Sequence, residues 1–282
     1  MRRDPRLTPA RLDLAAASLQ GQVEAARFVA GVRRRVMAPV APVRRAPTCD
    51  APLDTEALRG ETMMVYDQDE EGWSWGQLDR DGYVGYLPTE ALAAEGPAPT
   101  HEVRALRTFV YPGADMKLPP REALAFGCAV TVRGQAGGFA LTAHGAVFTA
   151  HLAPIGAWEP DFVAVAERFL ETPYLWGGRS AFGLDCSGLV QTALAACGVA
   201  APRDSDQQEA GLGIPLALTA PFQRGDLVFW PGHVGIVTAP DTLLHANAHH
   251  MRVAREPLHE ARARLAAMGI ELRAARRLAP AS

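Results

Sequence analysis

The spacing of apolar positions changes character several times along the chain. Residues 11–30 (RLDLAAASLQGQVEAARFVA) place apolar side chains at Leu12, Ala15, Ala16, Leu19, Val23 and Ala26, which predicts a short amphipathic helix broken near Gly21. The passage APVAPVRRAP at 38–47 is too rich in proline for a helix and predicts an extended linker or edge strand. Between 53 and 95 the pattern becomes short β-prone runs: TMMVYD, WSWGQL and GYVGYLP. Turn chemistry separates them, Asp-Glu-Glu-Gly at 69–72 and Asp-Arg-Asp-Gly at 79–82, and Pro88 ends the third. After the linker EGPAPT at 95–100, VRALRTFVY, CAVTVRGQ, FALTA and AVFTAHLAP repeat a similar plan over 101–157. Two small all-β, SH3-like barrels in tandem account for both stretches. Their mutual identity is too low to establish an internal repeat.

From Trp158 the period lengthens. DFVAVAERFLETP carries a helical stripe at Phe162, Val163, Val165, Ala166, Phe169 and Leu170, with Asp161 near its start and Pro173 past its end. CSGLVQTALAAC predicts a second helix, with Gly198 as its C′ residue. Strands follow at 226–230 (DLVFW), 233–238 (HVGIVT) and 242–247 (TLLHAN), then a helix over LHEARARLAAMG and a closing strand in IELRAARRL. A helix-first order with antiparallel strands after it is α+β. The expected domains are an N-terminal helical segment at 1–35, barrels at 36–96 and 97–157, and an α+β domain at 158–282.

Composition narrows this picture only a little. A length of 282 residues with 48% hydrophobic and 21% charged side chains is ordinary globular chemistry. The net charge of −3 gives no footprint for nucleic acid. Cys49, Cys128, Cys186 and Cys197 form no CxxC pair and are too sparse for a disulfide framework, so reduced thiols and no metal are expected. The first residues are basic but build no apolar h-region, and no stretch approaches a membrane span. The location expected from these signals is the cytoplasm, with no membrane and no nucleic-acid partner.

The candidate chemistry begins at YLWGGRSAFGLDCSGLV, residues 174–190. Cys186 falls at a helix start with Asp185 as the N-cap, where free N–H groups and the helix dipole favour a thiolate. A buried structural cysteine fits the position equally well. His233 opens one predicted strand and His245 lies on the next, so the two can come side by side as a base and the group that orients it. With eight histidines in the chain, chance pairs are also common, and His249 and His250 in AHHMR read as an exposed hairpin end. Trp176 reads as core packing. Gly177-Gly178 lacks the rest of a phosphate-loop pattern.

Taken in order, Y-x-W-G-G-x(7)-D-C-S-G at 174–188, R-D-S-x-x-Q at 203–208, G-D-L-V-F-W at 225–230, H-V-G-I at 233–236 and L-H-A at 244–246 resemble the NlpC family of papain-like cysteine peptidases. The resemblance covers most of 160–250 and implies a fold and roles. The C-terminal domain is expected to be papain-like, with Cys186 as nucleophile, His233 as general base and His245 orienting it. Tyr174 would hold the oxyanion with the Cys186 N–H. Asp185, Ser187 and Ser205 match positions lining a subsite for D-glutamate. Tandem SH3-like domains before such a domain resemble the branch that hydrolyses γ-D-glutamyl–diamino acid bonds, of dipeptidyl-peptidase VI type. Its substrates are small murein peptides with a free N-terminal L-alanine, consumed in cell-wall peptide recycling. In that branch the first SH3-like domain binds the amine, for which TEALRGE offers Glu56 and Glu61 and GYVGY offers Tyr83 and Tyr86. No cofactor is implied. The alternatives are a hydrolase of intact peptidoglycan targeted by the SH3-like domains, and a non-catalytic murein-peptide-binding protein.

Overall fold

Tertiary contacts overrule the helical stripe at the N-terminus. The computed structural model describes residues 3–278. Over 11–30 it contains no α-helix. A single 3-10 turn spans Ala17–Leu19, and Ala15–Ala16 pairs in parallel with Phe28–Val29. Leu12 of the expected apolar face is 88% exposed, whereas the consecutive residues Leu14, Ala15 and Ala16 are buried. Three adjacent buried positions do not fit one face of a helix. The segment is instead held extended: the Val84 N–H donates to the Arg6 carbonyl, and Arg11 bonds Asp67 and the Tyr86 hydroxyl while lying 4.6 Å over the Trp75 ring.

The first β-unit is a seven-stranded sheet. Its strands are β1 (Val32–Val36), β2 (Val40–Arg44), β3 (Leu53–Leu58), β4 (Thr62–Gln68), β5 (Trp73–Leu78), β6 (Val84–Pro88) and β7 (Leu92–Ala94), in the order β3-β2-β6-β5-β4-β1-β7. Alternation along the strands turns Val43, Met63, Val65 and Leu87 into one core with Val36, Ala57 and Leu78. The proline-rich passage is therefore a strand between two neighbours, not an edge or a linker. Its ladder to β6 closes at the single pair Arg44↔Tyr86, so Pro42 has little pairing to break on that side. β1 begins at Val32, inside the segment expected to be helical.

The second β-unit comprises β8 (His101–Val103), β9 (Arg107–Tyr111), β10 (Glu122–Ala125), β11 (Ala129–Val130), β12 (Gly134–Ala136), β13 (Phe139–Thr142), β14 (Gly145–Phe148) and β15 (Leu152–Pro154). They form the sheets β11-β8-β15 and β10-β9-β14-β13-β12. Both units close alike, with a 3-10 turn (Thr89–Ala91, Thr149–His151) leading into a last short strand. Arg59 of the first pairs with Glu122 of the second, and the Cys128 thiol donates to the Pro39 carbonyl at 3.2 Å.

The chain divides into two compact units at Ile155/Gly156. The second contains α1 (Phe162–Glu167), α2 (Cys186–Ala196), α3 (Ser205–Gly211), β16 (Ile214–Leu216), β17 (Asp226–Trp230), β18 (His233–Ala239), β19 (Thr242–Asn247), β20 (Arg252–Pro257), α4 (Leu258–Ala266) and β21 (Ala274–Arg277). The strand order is β16-β21-β17-β18-β19-β20. Every residue of β17 is buried, and so is nearly all of β18 and β19, which explains their almost continuous apolar runs. α2 packs on β18 and β19. Asp161 caps α1 and Asp185 caps α2, each accepting a backbone N–H, and Gly198 at φ +75° closes α2. Among the described residues, no helix is long and apolar enough to cross a membrane.

Candidate active site

Asp185 ties together the pieces that hold Cys186. One carboxylate oxygen accepts from the Gly188 N–H at 2.7 Å, which caps α2, and from the Ser187 hydroxyl at 3.3 Å. The other accepts from the Gly177 N–H at 2.9 Å, which binds the Gly-Gly turn to the helix start. Arg203 reaches both oxygens, at 2.9 and 2.6 Å, and also donates to the Ser187 hydroxyl at 3.0 Å. Gln208 of α3 donates to the Ser187 carbonyl at 3.0 Å. Asp185 and Ser187 are thus engaged in a buried network at the start of α2, and Ser205 sits half-buried at the start of α3.

Gly188 makes this packing possible. A Cβ at that position would lie 2.3 Å from the Gly178 carbonyl oxygen. Gly188→Ala is expected to push the Gly-Gly turn off the helix and to lower stability by about 1–3 kcal/mol, measured by denaturant unfolding. An unchanged midpoint would show that the turn yields freely.

Cys186 is the first residue of α2, and its side chain is buried. The thiol does not gain the low pKa expected at a helix start. Burial and the nearby Asp185 charge push it up to about 12, outweighing the Val234 and Ser187 N–H groups and the Arg203 charge. His233, next to Val234, is pushed down to about 3 by burial, with His245 lowering it further. Both shifts favour a neutral thiol and a neutral imidazole at rest. Tyr174 is half-buried near Cys186 and Asp185, and burial, with these two acidic neighbours, raises its hydroxyl to about 12. It remains a neutral donor.

The sheet brings the two histidines together. A Cβ built on Gly235 would stand 2.5 Å from Leu243 Cδ1 and 3.4 Å from the His245 Cβ, so the glycine leaves Leu243 room beside β18 and keeps β19 close. His233 Nε2 and His245 Nδ1 are 2.8 Å apart, and the buried Trp230 ring lies 5.7 Å from the His233 ring. Two groups behind this pair were absent from the sequence reading. His245 Nε2 lies 2.7 Å from Glu256 Oε1 on β20, and Arg264 of α4 donates to both Glu256 oxygens at 2.6 and 2.5 Å. Burial alone would raise the Glu256 carboxyl, but the bonds from Arg264 and His245 prevail and hold it far below the usual carboxylate range. The missed signal was RVAREP at 252–257, a short strand whose outer positions are charged.

His249 is exposed and His250 half-buried in the turn after β19. His245, His250 and Glu256 bring three donor atoms within 4.8 Å. Each already has a partner, since the His250 Nδ1 bonds Asn247 at 3.0 Å, so the group reads as part of a hydrogen-bond chain. Trp176, expected in the core, is 64% exposed beside the exposed Leu175 and Phe182. In the first β-unit Glu56 is buried on β3. Glu61 accepts the Leu58 N–H and pairs with Arg80, while the Tyr83 ring packs in the barrel core.

A buried histidine pair opens the strand whose Val234 N–H bonds the helix-start cysteine. Residues 43–92 match the bacterial dipeptidyl-peptidase SH3 domain, and residues 171–269 match the NlpC/P60 family. The C-terminal unit is an NlpC/P60 domain. Over 95 residues the chain is 39% identical to the gamma-D-glutamyl-L-lysine dipeptidyl-peptidase of Bacillus subtilis (strain 168), covering 30% of this chain and 31% of that one. Over 91 residues it is 38% identical to dipeptidyl-peptidase 6 of Lysinibacillus sphaericus, covering 32% and 33%. The matched stretch spans about a third of the length of either relative. Among solved structures, an NlpC/P60 family protein from Bacillus cereus ATCC 10987 is similar in fold, with a TM-score of 0.72, 19% identity, and coverage of 88% of this chain and 100% of that one. An SH3 domain ahead of an NlpC/P60 domain matches the α+β architecture expected from the sequence.

Proposed function

We propose that this protein is a cysteine endopeptidase that hydrolyses the bond between the γ-carboxyl of D-glutamate and a diamino acid in short murein peptides. One observation carries the reading: a helix-start cysteine bonded by the Val234 backbone N–H, with the adjacent His233 held through one ring nitrogen by the buried His245. The name of the Bacillus subtilis relative, a gamma-D-glutamyl-L-lysine dipeptidyl-peptidase, supports the bond type. The role in recycling free peptides in the cytoplasm, and the requirement for a free N-terminal L-alanine, belong to the same proposal. They rest on the resemblance to the branch with tandem SH3-like domains.

In this mechanism His233 takes the thiol proton on Nδ1, the nitrogen that His245 does not occupy. The sulfur attacks the γ-carbonyl carbon. The oxyanion that forms is held by the Cys186 N–H and the Tyr174 hydroxyl. As it collapses, the C–N bond breaks and imidazolium returns the proton to the departing amine. The resulting thioester is hydrolysed by water, with His233 again as base. Because both groups start neutral, the proton moves as the sulfur attacks, so no standing thiolate is needed.

Mass spectrometry of products tests the proposal. L-Ala-γ-D-Glu-diaminopimelate is expected to yield L-Ala-D-Glu and diaminopimelate, while the N-acetylated peptide and intact sacculi remain uncut. Faster release from sacculi than from the free peptide would move the activity to intact peptidoglycan. Peptide binding with no cleavage would make this a binding protein.

A further inference from the structure

Behind the two histidines, hydrogen-bond chemistry leaves one proton arrangement. A guanidinium has donors and no acceptors, so Arg264 uses both Glu256 oxygens as acceptors. Glu256 is an ionised carboxylate and can only accept. The bond between it and His245 therefore takes its hydrogen from His245 Nε2. A neutral imidazole carries a single N–H, and burial keeps His245 neutral, so its Nδ1 is a lone pair. That lone pair accepts from His233 Nε2, 2.8 Å away. His233 then has its own lone pair on Nδ1.

The geometry points to Glu256 and Arg264 as positioning residues that set, through His245, which nitrogen of His233 is free to take a proton. Neither touches the reacting atoms. Their effect is to exclude the opposite tautomer, in which Nδ1 would carry hydrogen and have no capacity as a base. The inference rests on the proposed role of His233, but the tautomer itself can be observed without any substrate.

The experiment uses the full-length protein labelled with 15N-histidine, with the ring nitrogens followed by NMR near neutral pH. In the wild type His233 and His245 are both expected as Nε2–H tautomers. Glu256→Leu removes the acceptor that holds the hydrogen on His245 Nε2, so both rings are expected to populate the opposite tautomer as well. Its kcat should fall about tenfold or more, with KM changed less than twofold. Glu256→Asp keeps the charge and is expected to keep the wild-type tautomers and recover part of the rate. A wild-type His233 carrying hydrogen on Nδ1 would overturn the inference even if no variant folded. So would a Glu256→Leu protein whose two rings keep only the wild-type tautomers. If the wild-type protein shows the expected tautomers but cleaves no γ-D-glutamyl peptide, the relay stands and the proposed function falls.

Discussion

Cys186→Ala is expected to lower the turnover of L-Ala-γ-D-Glu-diaminopimelate by about four orders of magnitude or more, because no other group can form the acyl intermediate. The substitution suits the fold. Alanine is a strong helix former, and Asp185 still caps α2 through the Gly188 N–H. Cys128→Ala is the matched control. Its thiol is also buried and also raised to about 12, but it donates to the Pro39 carbonyl in the β-unit. In the proposed mechanism the base His233, and not burial of the thiol, makes the nucleophile. Product analysis of both variants checks this. Wild-type cleavage by Cys186→Ala would remove the cysteine from the mechanism, and loss of cleavage in Cys128→Ala would mean that the measurement reports folding.

Asp185→Ala is expected to cost about 3–5 kcal/mol of stability in the C-terminal unit, a larger effect than for any surface ion pair. Arg203 is 1% exposed, and its charge would be left without its carboxylate partner. The same change removes the cap of α2 and frees the Gly177 N–H. Replacing both charges, as Asp185→Asn with Arg203→Met, is expected to cost less than Asp185→Ala alone, because both halves of the buried pair are then neutral. Urea denaturation of the three proteins tests this. A midpoint for Asp185→Ala equal to wild type would show that the network contributes nothing to holding Cys186.

Particular elements show what local pattern can reveal. WSWGQL became β5 with its predicted bounds, since alternation and flanking turns are short-range properties. Asp185 was legible as a cap because capping joins residues three apart. The stripe at 11–30 has the right period, yet the segment lies extended, held by bonds from Arg6 and Arg11 to the sheet far along the chain. RVAREP was passed over because only pairing with β19 makes it a strand, and Glu256 was lost with it. Trp176 looked like core from its residue type, but its loop leaves it exposed.

The candidate nucleophile, the candidate base and its orienting histidine could be named from the sequence because each lies in a short motif with its own local geometry. The order of those motifs pointed to the family. The charge state of the site could not be read that way. Whether a helix start lowers a thiol pKa depends on how much water reaches the sulfur, and here burial outweighs the dipole. Nor could sequence reveal that Arg203 lies under Asp185, or that Glu256 and Arg264 stand behind His245. Those contacts join residues 18, 11 and 8 positions apart on separate elements, so only the packed sheet and helices bring them together.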